Sequence, residues 1–279
     1  MALTAFRLPD GAQEFTTEIE IVDQLLLPHT VRWLRVSTIS RAFDAIKRMQ
    51  IRGAPAIASL AALALAAELR TLVRDGSSEF FASMDDKAVL TLRIKEAADL
   101  LLRSRPTAVN LREAMERVGA AAQEGTSSAQ ELAEKVANVG VQVWLDDRER
   151  NITMGDHGAR WILGRVEKQG RMPPDGKITT LTVCNTGSLA TSGYGTALGV
   201  ITSLHKMGRL AHAFFAQTGP YQQGARLTAL ELASLKIPST MVCDTAIGAL
   251  LAEKDVHLFV AGADRCAFSH PWASSSLLH

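Results

Sequence analysis

Residues 178–191 read Ile178-Thr-Thr-Leu-Thr-Val-Cys-Asn-Thr-Gly-Ser-Leu-Ala-Thr191. Their β-branched opening, Ile178 to Val183, predicts a strand that ends on a thiol and a glycine. Apolar spacing then predicts a helix from Leu189 to Met207. Toward the carboxyl end the same alternation recurs: strand Ala211 to Phe215, helix Gly224 to Leu235, strand Thr240 to Val242, helix Ala246 to Glu253, strand Val256 to Val260. Repeated strand–helix units imply a parallel, doubly wound α/β sheet. Ligands of such sheets bind beyond the carboxyl ends of the strands, so Cys184 to Gly187, Gln217 to Gln223, Asp244 and Gly262 to Asp264 are expected to converge.

Toward the amino end, Gly170-Arg-Met-Pro-Pro-Asp-Gly176 is dense in turn formers and is the expected domain boundary. Before it the elements change. Short apolar runs at 18–22, 25–27 and 33–36 predict small strands, and Ser37-Thr-Ile-Ser40 can cap a helix reaching Met49. A further helix is expected after Pro55, and residues 88–103 and 107–145 show helical spacing, with Leu92, Ala97, Leu100 and Leu101 on one face. The expected organisation is an N-terminal, mainly helical domain with a small β-sheet (1–170), a Rossmann-like parallel α/β domain (171–265) that is incomplete at its carboxyl end, and a divergent tail (266–279).

Composition limits the partners. Of 279 residues 47% are apolar, enough for two cores, while 30 basic and 29 acidic side chains nearly cancel. That balance makes no global case for nucleic acid or a membrane surface and leaves small molecules and proteins. The alanine-rich run Ala54 to Leu69, interrupted by Ser59 and Glu68, reads as a buried helix rather than a membrane span. Cys184, Cys243 and Cys266 are too few and too scattered for a disulfide framework or a metal knuckle, and the first twenty residues do not read as a secretory signal, so a cytoplasmic setting is expected.

Three segments carry chemistry. Cys184, at a strand end near free backbone N–H groups, could be held as thiolate or sit beside a bound anion, although a lone cysteine is more often structural. Val260-Ala-Gly-Ala-Asp-Arg265 runs from a strand into Asp264, a carboxylate suited to proton transfer, or one that merely caps a loop or pairs with Arg265. Arg52-Gly-Ala-Pro-Ala-Ile57 sets a guanidinium, Gly53 and Ala54 before a helix, a grip for phosphate; Arg105 could add a second, and Gln223 could bond sugar hydroxyls. Singly, these arginines read as surface ion pairs and Gln223 as a solvated loop group. The seven histidines show no metal-ligand spacing.

In this order, Asp23-Gln-Leu-Leu-Leu-Pro28, RGAPAI (52–57), SRPTAVN (104–110), CNTGSLATSGYGTALGVI (184–201), QGARLTALEL (223–232) and GADR (262–265) resemble the methylthioribose-1-phosphate isomerase family over nearly all the chain up to Arg265. The resemblance implies conversion of 5-methylthio-α-D-ribose 1-phosphate to 5-methylthio-D-ribulose 1-phosphate in methionine salvage. It implies Cys184 and Asp264 as the catalytic pair, and Arg52, Gly53, Ala54, Arg105 and Gln223 as substrate contacts. It implies no metal or organic cofactor and a homodimer; eukaryotic members can also be nuclear. Ribose-1,5-bisphosphate isomerase and the regulatory subunits of the translation-initiation exchange factor share the fold, so a non-catalytic scaffold and a bisphosphate isomerase are the alternatives.

The chain departs from the family pattern twice. Gln217 and Gly219 stand where the family usually has glutamate and arginine, which would weaken phosphate binding or loop order. After GADR the family continues with an Asn-Gly-Asp turn and a substrate-contacting Asn-Lys pair, where this chain has Cys266-Ala-Phe-Ser-His-Pro-Trp-Ala-Ser-Ser-Ser-Leu-Leu-His279. From that tail, impaired activity is expected.

Overall fold

The computed structural model describes residues 3–7, 17–84 and 86–263, and the chain divides into two compact units. One runs up to Ile152 and takes in Ser188–Tyr194; the other comprises Thr153–Gly187 and the chain from Gly195 onward. The division falls within a 40-residue helix rather than at the Gly170–Gly176 turn, and seven residues after Gly187 pack with the first unit. Sequence composition marks where a chain turns, whereas compact units follow packing. The 266–279 segment lies outside the described residues.

In the first unit, strands β1 (Phe6–Arg7), β2 (Glu20–Val22) and β3 (Trp33–Arg35) form an antiparallel sheet in that order. The middle strand buries Ile21 and Val22, with Ile19 buried just before it, while Glu20 meets Arg7. The 25–27 run is a turn, not a strand. Helix α1 (Ile39–Lys47) is capped by Thr38, whose hydroxyl accepts from Arg41 N–H. Helix α2 (Ala54–Asp75) has the length and apolarity to cross a membrane, but 83% of its most apolar window is buried in the fold, which makes it a core helix.

The small side chains of α2 let neighbours approach. Gly140, on helix α5 (Ala129–Lys168), lies so near α2 that a Cβ would sit 2.6 Å from the Ala62 carbonyl oxygen. Helix α3 (Lys87–Leu102) starts at Asp86, whose carboxylate accepts from Ala88 and Val89 N–H. It buries Leu90, Ile94, Ala97, Ala98 and Leu101, whereas Leu92, expected on that face, is exposed. The helical stretch expected over 107–145 is two helices, α4 (Val109–Gln123) and α5. The break at 124–128 is chemical. Ser128 Oγ accepts from Glu131 N–H while the Glu131 carboxylate accepts from Ser127 N–H, a reciprocal cap that starts α5 afresh.

The second unit holds strands β4 (Ile178–Thr182), β5 (Leu210–Ala216), β6 (Ser239–Val242) and β7 (Leu258–Val260), all parallel, in the order β6-β5-β4-β7. The order reverses between β4 and β7, so the crevice of this doubly wound sheet opens at the carboxyl ends of those two strands. Ile178, Ala213 and Phe215 of the sheet pack with Ala159, Ile162 and Val166 of α5 and with Leu198, Ile201 and Leu204 of helix α6 (Ala197–Lys206). The helix expected from Leu189 therefore begins eight residues late. Gly195, at φ +102°, lies where a Cβ would stand 2.7 Å from Gly187 Cα, and the two form an isolated bridge that closes residues 187–195 into a loop. Helices α7 (Ala229–Ser234) and α8 (Ile247–Glu253) follow as expected, α7 after a π-helical turn at Gly224–Thr228.

Candidate active site

Strand β4 ends at Thr182, and two residues on stands Cys184, whose thiol is exposed and whose backbone is left-handed, φ +70°. A β-carbon in that region costs about 1–3 kcal/mol and persists only where the surroundings enforce it. Two hydroxyls do so. Cys184 N–H donates to Thr218 Oγ1 at 2.9 Å, and Thr228 Oγ1 donates to the Cys184 carbonyl at 2.6 Å. Thr218, itself at φ +61°, is anchored in turn by Asp244, whose carboxylate oxygens accept from Thr218 N–H and Gly219 N–H, both at 2.7 Å. The loops after β4, β5 and β6 are thus tied together, as the sheet geometry predicts.

Strand β7 completes this edge. Register pairs Thr182 with Val260, and two residues beyond, a Cβ on Gly262 would lie 3.3 Å from Thr186 Cγ2 and 3.4 Å from Thr196 Oγ1. Asp264, the expected second catalytic group, lies outside the described residues. Gln223 is buried rather than solvated, with its N–H on the Thr218 carbonyl at 3.2 Å. Gly224 follows so close to β5 that a Cβ would overlap the Ala216 carbonyl oxygen. Asn185, beside Cys184, is buried, and neither of its amide atoms has a hydrogen-bond partner among the described residues.

The residues expected to grip phosphate belong to the first unit. Gly53 is the N-cap of α2, at φ +108°, with Arg52 before it and Ala54 and Pro55 in the first helical turn. Ile57 N–H bonds the Gly53 carbonyl at 3.0 Å, leaving the earlier amides of the turn at the helix entrance. Around this entrance the 188–194 segment is fastened at three points: Gln24 Nε2 donates to the Leu189 carbonyl at 2.7 Å, the Ser59 and Ser192 hydroxyls meet at 2.8 Å, and Ser192 N–H donates to Asp147 at 2.8 Å. Arg105, half-buried, sits in the turn after α3, its carbonyl accepting from Ala108 N–H. A cavity of about 380 Å³ lined by Lys177, His205, Leu210 and Pro238 lies at the amino ends of the strands, opposite Cys184, where doubly wound sheets do not keep their chemistry.

The spans expected at the strand ends, Cys184 to Gly187 and Gln217 to Gln223, contain Asn185 and Thr218 without giving either a role, and Thr228 was not expected there at all. Threonine bonds across strand ends leave no local signature. The buried amide of Asn185 is likewise a product of packing.

Residues 50–269 match the model of the initiation factor 2 subunit family. A curated relative, methylthioribose-1-phosphate isomerase of Postia placenta, is 46% identical over 267 residues, covering 94% of this chain and 66% of that protein. The chain thus spans just under two thirds of that relative's length. Among solved structures, 5-methylthioribose 1-phosphate isomerase of Pyrococcus horikoshii aligns with a TM-score of 0.75 at 26% identity, over 94% of this chain and 66% of that one. The translation initiation factor eIF-2B subunit delta of A. fulgidus aligns with a TM-score of 0.73 at 32% identity, over 95% and 69%. The chain belongs to the initiation factor 2 subunit family and is similar to proteins named methylthioribose-1-phosphate isomerase.

Proposed function

We propose that this protein isomerises 5-methylthio-α-D-ribose 1-phosphate to 5-methylthio-D-ribulose 1-phosphate, a step of methionine salvage. The observation that carries this reading is Cys184: an exposed thiol at the switch point of a doubly wound sheet, held in a strained backbone state by two hydroxyl clamps. A scaffold has no use for strain at that position. Strain at a strand end is commonly retained where it sets reacting groups.

The reaction is an internal transfer. The ring opens as the C1–O4 bond breaks and O4 takes up a proton; the 2-hydroxyl releases a proton as C2 becomes a carbonyl; one hydrogen passes from C2 to C1. No oxidant or reductant is consumed. Cys184 and Asp264 are the two proton-handling groups in this reading, and Arg52 with the amino end of α2 supplies the charge complement for phosphate. Arg105 and Gln223 add contacts to phosphate and hydroxyls. Two free, exposed thiols, Cys184 and Cys243, suit a reducing compartment, which supports a cytoplasmic location.

The test is ketose formation from methylthioribose 1-phosphate by the purified protein and by Cys184→Ala. Turnover that falls by about a hundredfold or more in the variant supports the reading. Folded protein without turnover, both as it stands and with the family's usual carboxy-terminal segment in place of residues 266–279, refutes it and favours the regulatory role suggested by the likeness to an initiation-factor subunit. Equal or better turnover of ribose 1,5-bisphosphate would reassign the substrate.

A further inference from the structure

We infer that Thr218 is a positioning residue for the Cys184 thiol and that Asp244 acts through it, an inference that rests on Cys184 being the thiol of the proposed isomerase. The hydrogen-bond directions form a consistent chain. Thr218 Oγ1 donates its single proton to the Ala216 carbonyl at 3.2 Å, which leaves its lone pairs to accept from Cys184 N–H at 2.9 Å. Thr228 Oγ1 donates to the Cys184 carbonyl on the other side. The two peptide planes flanking the Cys184 Cα are therefore each held by one hydroxyl, and between them they determine the direction of its Cα–Cβ bond.

Thr218 could not hold that plane unless it were held itself. Left-handed backbone at Thr218 is unfavourable, and the Asp244 carboxylate stabilises it by accepting from two successive amides, Thr218 and Gly219. The acceptor comes from the loop after β6 and the thiol from the end of β4, with the β5 loop between them. This three-loop relay transmits position from a charged group to the thiol. A valine at 218 keeps the shape of threonine and removes the acceptor; a serine keeps the acceptor and removes the methyl.

The experiment compares wild type, Thr218→Val, Thr218→Ser and Asp244→Ala in two readouts, isomerase kinetics and hydrogen exchange of the Cys184 amide. The expected result is a kcat about tenfold lower in Thr218→Val with KM changed less than about twofold, recovery to within about twofold in Thr218→Ser, and a loss of about threefold in Asp244→Ala. Exchange at Cys184 should quicken about tenfold in Thr218→Val and stay near wild type in Thr218→Ser. Wild-type kcat in Thr218→Val, or a Thr218→Ser as impaired as Thr218→Val, overturns the inference, as does a change confined to KM. If Thr218→Val fails to fold, Asp244→Ala decides by the same two readouts: unchanged kcat and unchanged exchange overturn the inference. Absence of turnover in wild type bears on the isomerase reading alone; unchanged exchange in Thr218→Val sinks the clamp whether or not wild type turns over.

Discussion

The backbone of Gly53 lies against the backbone of Ala190: a Cβ added at Gly53 would overlap the Ala190 carbonyl oxygen and sit 2.5 Å from its Cα. Gly53 also has φ +108°, a region closed to side chains. The RGAPAI glycine is thus fitted to the CNTGSLATS segment, two motifs 137 positions apart. Gly53→Ala should lose about 3 kcal/mol or more, since neither backbone can yield cheaply. Gly76→Ala, at φ +80° with no described atom within 4 Å, carries strain alone and should lose about 1 kcal/mol. Denaturant unfolding of the two variants checks the difference; equal losses would mean that the contact with Ala190 does not matter.

Glu68 is a carboxylate with 2% of its surface exposed, in the middle of the apolar α2. Its oxygens accept from Ile39 N–H at 3.1 Å, at the start of α1, and from Phe80 N–H at 2.9 Å. Glu68→Ala leaves both amides without their acceptor and should cost about 2–4 kcal/mol, whereas Glu68→Gln, which keeps one acceptor, should cost less than half of that. Thermal unfolding of the pair measures it.

Cys184 offers a separation of stability from chemistry. Glycine adopts φ +70° without steric cost, so Cys184→Gly should unfold within about 1 kcal/mol of wild type while abolishing turnover. Cys184→Val, β-branched at a left-handed position, should lose about 2 kcal/mol. Calorimetry and the isomerase assay on the same preparations test both.

His212 on β5 has its imidazole Nε2 2.9 Å from Thr240 Oγ1 and its ring 4.8 Å from Phe214, and burial pushes its pKa below the ordinary value. The folded state then binds fewer protons than the unfolded chain between the depressed value and about 6.5. The penalty is full below the folded pKa and is relieved as pH rises through that window, so stability should increase with pH there and level off above it. His212→Asn should flatten the slope. Urea unfolding at about pH 5 and about pH 8 reads the effect; an unchanged slope would assign the dependence to other groups.

How much of this was legible in the chain differs by level. Strands β4, β5 and β6 and the helices α2, α3, α7 and α8 stand within a few residues of where periodicity puts them, because alternation and 3.6-residue spacing are local properties. The α4–α5 break at Gly125 and Ser128 was written in turn and cap chemistry but hidden by continuous helical spacing on either side. Leu92 was misplaced because several faces of α3 carry leucine, and only packing selects one. Motif wording pointed to Cys184, Gly53 and Gln223 as site residues, yet said nothing of Thr218, Thr228 or Asp244 as their supports.

The sequence by itself determined a parallel α/β sheet after residue 176, a helical segment before it, and a thiol at the end of the sheet's first strand, since each follows from residue type and spacing along the chain. Only the tertiary structure decided the strand order β6-β5-β4-β7, the delayed start of α6, the seating of Gly53 on Ala190 and the left-handed Cys184 held between two threonines. Those features depend on backbone groups brought together from distant positions, and a hydrogen bond or steric contact between residues 34 or 44 positions apart leaves no mark on the local pattern of either.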